Sequence, residues 1–166
     1  DWSSDVCSSD LMLGVFIFPP VREVLIFADK AGQNRLILWQ KTQEYLISTP
    51  KRFILGTGLR RFYGEIQMPL ANVVMEPLTY PHNIVFNFWS EIGLFGMFSF
   101  FFIYFFLVKT SFDIYTKEKI IGAGLICAWL VFFIHGLVDV PYFKNDLSFL
   151  FWILAALTFY SNREKV

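Results

Sequence analysis

Charge is scarce in these 166 residues: Asp, Glu, Lys and Arg supply 17% of the chain, with two histidines and two cysteines. Soluble domains carry about 25% charged residues. Cys7 and Cys127 give no disulfide framework, because Cys127 stands inside an apolar run. His82, His135, Asp139 and Glu91 lack close ligand spacing, so no metal centre is expected. The basic residues are scattered rather than gathered, which excludes a nucleic-acid footprint. Gly56-Thr57-Gly58 has no strand–glycine–helix context, so no nucleotide loop is expected either.

What the chain has instead is apolar length. Hydrophobic residues make up 55%, aromatics 20%, and the mean hydropathy is +0.50. The few charges are bunched between long apolar runs, the pattern of an integral membrane protein. A helix crosses the hydrocarbon core with about 20 apolar residues. Residues 92–108 meet that need, continuing a helix that begins outside the membrane near His82. Residues 120–138 form a second span and 147–160 a third, extendable at either end. Residues 11–18 are too short and stop at Pro19-Pro20, as the tail of a span would (11–20).

Lys and Arg in short connections set orientation. The connection 109–119 carries Lys109, Lys117 and Lys119, and the tail 161–166 carries Arg163 and Lys165, so both are expected inside. The turn 139–146 holds Lys144 against two acids and faces out. By alternation the long segment 21–81 also faces out, into the periplasm of a bacterium. Within it, 35–48 places Leu36, Trp39, Gln40, Gln43 and Leu46 near helical spacing, with Ile37 and Tyr45 widening the face. An amphipathic helix lying on the membrane surface or on the bundle is expected there. Thr49-Pro50 is expected to stop it, and residues 49–64 to form a loop.

Residues 1–10, DWSSDVCSSD, fit none of this. They are acidic and polar and run straight into an apolar stretch. A DNA string encoding Asp-Val-Cys-Ser-Ser-Asp-Leu resembles the end of a common sequencing adapter. The expectation is that these ten residues are an artefact and that the natural chain enters near Leu11 within a membrane helix, as a C-terminal portion inactive alone. Leaving out their three aspartates takes 14 acids to 11 against 14 bases, a net of +3.

The strongest local pattern is HNIVFNFWSEIGLFG, residues 82–96. On residue types alone it is an interfacial helix cap, with Gly93 and Gly96 aiding close packing. Glu91 adds an ionisable group near the membrane surface, where such a group usually has a partner or a task. His135 and Asp139, four apart on one helical face, can touch and brace the outer turn.

The full spacing, His-Asn, nine residues, Gly, two residues, Gly, resembles the signature of the O-antigen ligase and polymerase superfamily of polytopic inner-membrane glycosyltransferases. NRLILW resembles that family's R-x-x-x-W element, with Arg35 as the arginine. STPKRFILGTGLRRF and HGLVDVPYFKND resemble two further stretches, and the likeness covers residues 11–160. It implies an all-α, polytopic transmembrane bundle (GT-C-like) with amphipathic helices in its periplasmic loop. It also implies, without metal or other cofactor, glycan transfer from a polyprenyl diphosphate carrier to an acceptor hydroxyl. His82 would act on that hydroxyl as general base. Arg35, and second to it Arg60 and Arg61, would clamp the diphosphate with paired donors. Asn83, Glu91, Gly93, Gly96, His135 and Asp139 would support them.

The acceptor stays open between lipid A core, a growing polysaccharide and a protein hydroxyl, that is, between ligase, polymerase and protein O-oligosaccharyltransferase. From another class, a transporter portion or small membrane subunit is the alternative. A transporter would show polar or broken helices near the bilayer centre, and the three spans hold nothing of that kind apart from glycines and His135 near an end.

Overall fold

The computed structural model describes residues 29–70, 79–140 and 145–163. The acidic stretch 1–10, the apolar run 11–20, residues 141–144 of the turn 139–146 and Lys165 lie outside them. The described residues are helix and connection, with no strand among them, in agreement with the all-α expectation.

Helix α1 runs Lys30–Ile47. It starts a full turn before the apolar pattern does, because Asp29 is extended and its carboxylate accepts the Gly32 N–H at 3.2 Å. The buried stripe is Leu38, Thr42 and Leu46, four residues apart, rather than the face through Leu36 and Gln43; Leu36 is exposed. Thr42 tolerates burial because its hydroxyl donates to the Leu38 carbonyl at 2.7 Å. Leu38 packs with Phe62 and Ile66, the second of which lies on a π-helical turn, Tyr63–Gln67.

Residues 50–55 are not loop but a short helix, α2, Pro50–Leu55. Thr49 caps it by accepting the Arg52 N–H, and Pro50 takes the first helical position, where its missing N–H costs nothing. The same Thr-Pro pair that ends one helix begins the next.

Helix α3 runs Ile84–Lys117 and helix α4 Lys119–Gly136, leaving Glu118 alone between them. The expected connection 109–119 is thus mostly helical. Thr110 and Ser111 donate their hydroxyls to the carbonyls of Phe106 and Leu107, so polar residues continue the helix without loss. Helix α5 runs Asn145–Arg163. Tyr104, Leu107, Trp129, Phe151 and Ala155 form the core that joins α3, α4 and α5. Tyr104 donates its hydroxyl to the Trp129 carbonyl at 2.7 Å, and the Trp129 indole donates to Thr158 at 3.2 Å. The polar atoms of this aromatic core are thereby satisfied.

Two of these helices, α3 and α4, are long and apolar enough to cross a membrane. Helix α5 does not join them, since Asn145, Asp146, Ser148, Thr158, Ser161, Asn162 and Arg163 dilute its apolar run. The chain itself covers little of the apolar stretches in α3 and α4: 28% and 22% of them are buried. Phe102 and Ile120, at 75% and 90% exposure, mark the faces left open.

Candidate functional site

Helix α3 is broken at Gly93, whose φ of 74° and ψ of −178° are not helical. The expectation of one helix running on from near His82 through 108 is corrected here: the break falls at a glycine at the outer end of the expected span. Residues 84–92 form a short arm, and the long apolar stretch follows the break. With Gly93 extended, the backbone ladder is interrupted and carbonyls at the end of the arm face outward. The Ser90 carbonyl accepts from the Thr57 N–H at 2.7 Å, the Gly58 N–H at 3.3 Å and the Thr57 hydroxyl at 3.0 Å. The Gly-Thr-Gly segment is a cap for a helix break.

Two glycines let these backbones approach. A Cβ on Gly93 would lie 2.4 Å from the Ile54 carbonyl oxygen, and one on Gly56, which has φ of 70°, would lie 2.3 Å from that of Ser90. The Trp89 indole adds a hydrogen bond to the Phe53 carbonyl at 2.6 Å, and the Phe53 ring meets Trp89 edge-on. Gly96 faces its own helix: a Cβ there would meet the Ile92 side chain. Gly93 is therefore both a break in the backbone and a point of close approach; the close packing expected of it is present, against the backbone of Ile54 and Leu55.

At the other end of the arm, Asn83 is the N-cap. Its Oδ1 accepts the N–H groups of Val85 and Phe86 at 3.0 and 3.2 Å, and its Nδ2 donates to the Leu137 carbonyl at 3.0 Å. One side chain thus starts α3 and ties it to the end of α4. Just before it, His82 has φ of 50°, a left-handed conformation uncommon outside glycine, though histidine adopts it more readily than most residues. His82 Nδ1 lies 3.1 Å from Asp139 Oδ1, with both side chains largely buried. The same carboxylate oxygen accepts the Val140 N–H at 2.8 Å, which fixes its orientation. His135, half exposed, stands with Nε2 3.9 Å from the other oxygen, Asp139 Oδ2. The expected contact between His135 and Asp139 is present but long; the closer partner of Asp139 is His82.

Arg35 reaches this neighbourhood through Trp39. The Trp39 indole donates to the Pro81 carbonyl at 2.6 Å, pinning α1 beside the residue that precedes His82. Arg35 is one helical turn away on the same face. Arg60 and Arg61, taken together as a second pair of clamps, are separated by the structure. Arg61 lines a 550 Å³ cleft with Lys51, Arg52, Thr57 and Glu65. Arg60 has φ of 58° and its backbone N–H donates to Glu91 Oε2 at 2.5 Å. It lines a different cavity, of 330 Å³, with Tyr63, Thr79, Tyr80, Asn87 and Glu91.

Glu91 stands on the short arm, outside the apolar stretch that follows Gly93. Burial pushes its carboxyl above the usual value, while the hydrogen bond from the Arg60 backbone and the Arg60 charge pull it back. Among the described residues no group of three or more His, Cys, Asp or Glu is arranged to hold a metal ion. Asn87 is the residue that sequence reasoning missed. Its only signal is its place four residues after Asn83 on the same helical face. No family model matches the chain, and neither does any curated protein or solved structure.

Proposed function

We propose that this chain belongs to a membrane glycosyltransferase that moves glycan from a polyprenyl diphosphate carrier to an acceptor hydroxyl on the outer face of a bacterial inner membrane. The single observation that carries this reading is the His82–Asp139 pair at 3.1 Å. It joins two segments, each resembling a different element of the O-antigen ligase superfamily, 57 residues apart. The open apolar faces of α3 and α4 suit lipid contact, and α5 packed against them is read as the third span.

The chemistry follows from the geometry. With Asp139 accepting from Nδ1–H, Nε2 is the nitrogen that takes a proton. The acceptor hydroxyl gives its proton to His82 Nε2 as its oxygen bonds to the anomeric carbon. The bond from that carbon to the diphosphate oxygen breaks, and the leaving diphosphate carries the negative charge. Arg35 is the residue assigned to that charge, its planar guanidinium supplying paired donors for the diphosphate oxygens. Asn83 holds the ends of α3 and α4 together and so keeps His82 and Asp139 in register. The acceptor hydroxyl could belong to lipid A core, to a growing polysaccharide or to a protein, with ligase action the first reading and polymerisation or protein glycosylation the alternatives.

A transporter reading gains a broken helix at Gly93. The break lies at the outer end of the apolar stretch, against the Gly-Thr-Gly cap, and not at mid-membrane where transporters place theirs.

The test is His82→Ala in the complete protein as its gene encodes it, with surface polysaccharide separated on a gel. General base catalysis supplies about 10²–10⁴ in rate, so polymer bound to its lipid anchor should fall by at least the lower figure. Unchanged polymer removes His82 from the mechanism. Single repeats left on the anchor move the reading to a polymerase.

A further inference from the structure

The 330 Å³ cavity beside the histidine is built from both signs of charge and from neutral polar groups. Its size lies at the lower end of the roughly 300–1,000 Å³ of small-molecule sites. Asn87 on its wall is 1% exposed. Neither its Nδ2 nor its Oδ1 has a hydrogen-bond partner. A buried amide in that state is destabilising until something supplies both an acceptor and a donor. Glu91, four residues on, faces the same space, as do Arg60 and the side chains of Tyr63, Thr79 and Tyr80.

These groups select among ligands. A phosphate would be met by the Glu91 carboxylate. A cation would be met by Arg60. An acyl chain would leave the Asn87 amide as it is. A neutral ring carrying several hydroxyls gives Asn87 both partners at once, because each hydroxyl donates and accepts. It also gives Glu91 a donor and Arg60 an acceptor. The Tyr63 and Tyr80 rings offer flat surface to the C–H face of such a ring.

We propose that this cavity is a pyranose-binding subsite in which the Asn87 amide holds a pair of sugar hydroxyls. Tyr80 connects it to the histidine: its ring centroid lies 4.6 Å from that of His82, so a sugar on Tyr80 sits one side chain from the base. That this sugar is part of the glycan substrate rests on the function proposed above; the binding of a sugar does not.

The experiment is saturation-transfer NMR on the full-length protein in a detergent without a sugar headgroup. The probes are methyl glucoside, methyl galactoside and methyl N-acetylglucosaminide. At least one glycoside should take up saturation at its ring protons. Asn87→Leu should weaken its binding by about tenfold, the worth of one or two hydrogen bonds. Tyr63→Ala, at the exposed rim of the cavity, should weaken it too and serves if Asn87→Leu does not fold. No saturation transfer to any probe from folded protein overturns the subsite, as does transfer unchanged in Tyr63→Ala. Displacement by an equal concentration of inorganic phosphate overturns it in favour of an anion site. Glycan transfer in cells reads His82 independently, so failure of the subsite and failure of the catalytic role are told apart.

Discussion

Asp139 is the residue on which the proposed role of His82 as a base turns. Its Oδ1 is held by the Val140 N–H and points at His82 Nδ1. Asp139→Asn keeps the shape but removes the carboxylate that orients the ring. Turnover should fall by about 10²-fold with KM unchanged, within the range a general base supplies. A rise in KM alone would mean that Asp139 only supports the turn. Glu91 lends itself to a titration. Its carboxyl sits above its ordinary value because burial disfavours the charged form. The folded state therefore binds the proton more tightly than the unfolded one. Glu91 adds stability that is full below about 4.5 and lost as pH rises through its folded value. Glu91→Gln should flatten that limb of the melting temperature against pH; an unchanged limb would assign it to other groups. The histidine was legible in the sequence because His-Asn precedes an apolar run at a recognisable spacing. Its pairing with Asp139 was not, because a local reading gives Asp139 to His135, four residues away, and the closer partner is brought in only by the packing of α3 on α4. Asn87 was hidden for a similar reason: one asparagine on a helix is ordinary until burial strips it of water.

Among the elements, the junction of α2 with the break in α3 is the one that holds the outer layer on the membrane-type helices. The Gly56 and Gly93 backbones press on each other's neighbours with no room for a methyl group, and both have positive φ. Gly93→Ala should cost about 1–3 kcal/mol for the backbone conformation alone, with the clash on Ile54 in addition. A thermal melt in detergent reads this as a clear drop in midpoint. An unchanged midpoint would mean that the break is not part of the folded state. Binary patterning showed α1, α3 and α4 because their apolar spacing is long and regular. It missed α2, since six residues are too few for a period and Thr-Pro was taken as a stop. Nor did it find the break, because Gly93 and Gly96 look alike in the sequence, and only contact with Ile54 distinguishes the hinge from its neighbour.

At the scale of the molecule, the apolar faces of α3 and α4 look outward and the polar groups of the site gather at one end. The lysines at 109, 117 and 119 lie at the opposite end, where α3 meets α4. If those faces meet lipid, the two ends are on opposite sides of the membrane. In a background with Cys7 and Cys127 changed to serine, Lys51→Cys should react with an impermeant maleimide in cells with a permeabilised outer membrane. Thr116→Cys should react only after the inner membrane is opened. Equal labelling of both would contradict the orientation.

The most direct measurement is release of polyprenyl diphosphate from a polyprenyl diphosphate-linked glycan by the complete protein in proteoliposomes, with an acceptor lipid present. The proposed chemistry predicts release coupled to glycosylated acceptor, and its loss by about 10²-fold or more in His82→Ala. Folded, correctly inserted protein that releases no carrier, or releases it equally with alanine at position 82, would contradict the assignment of this site to glycan transfer.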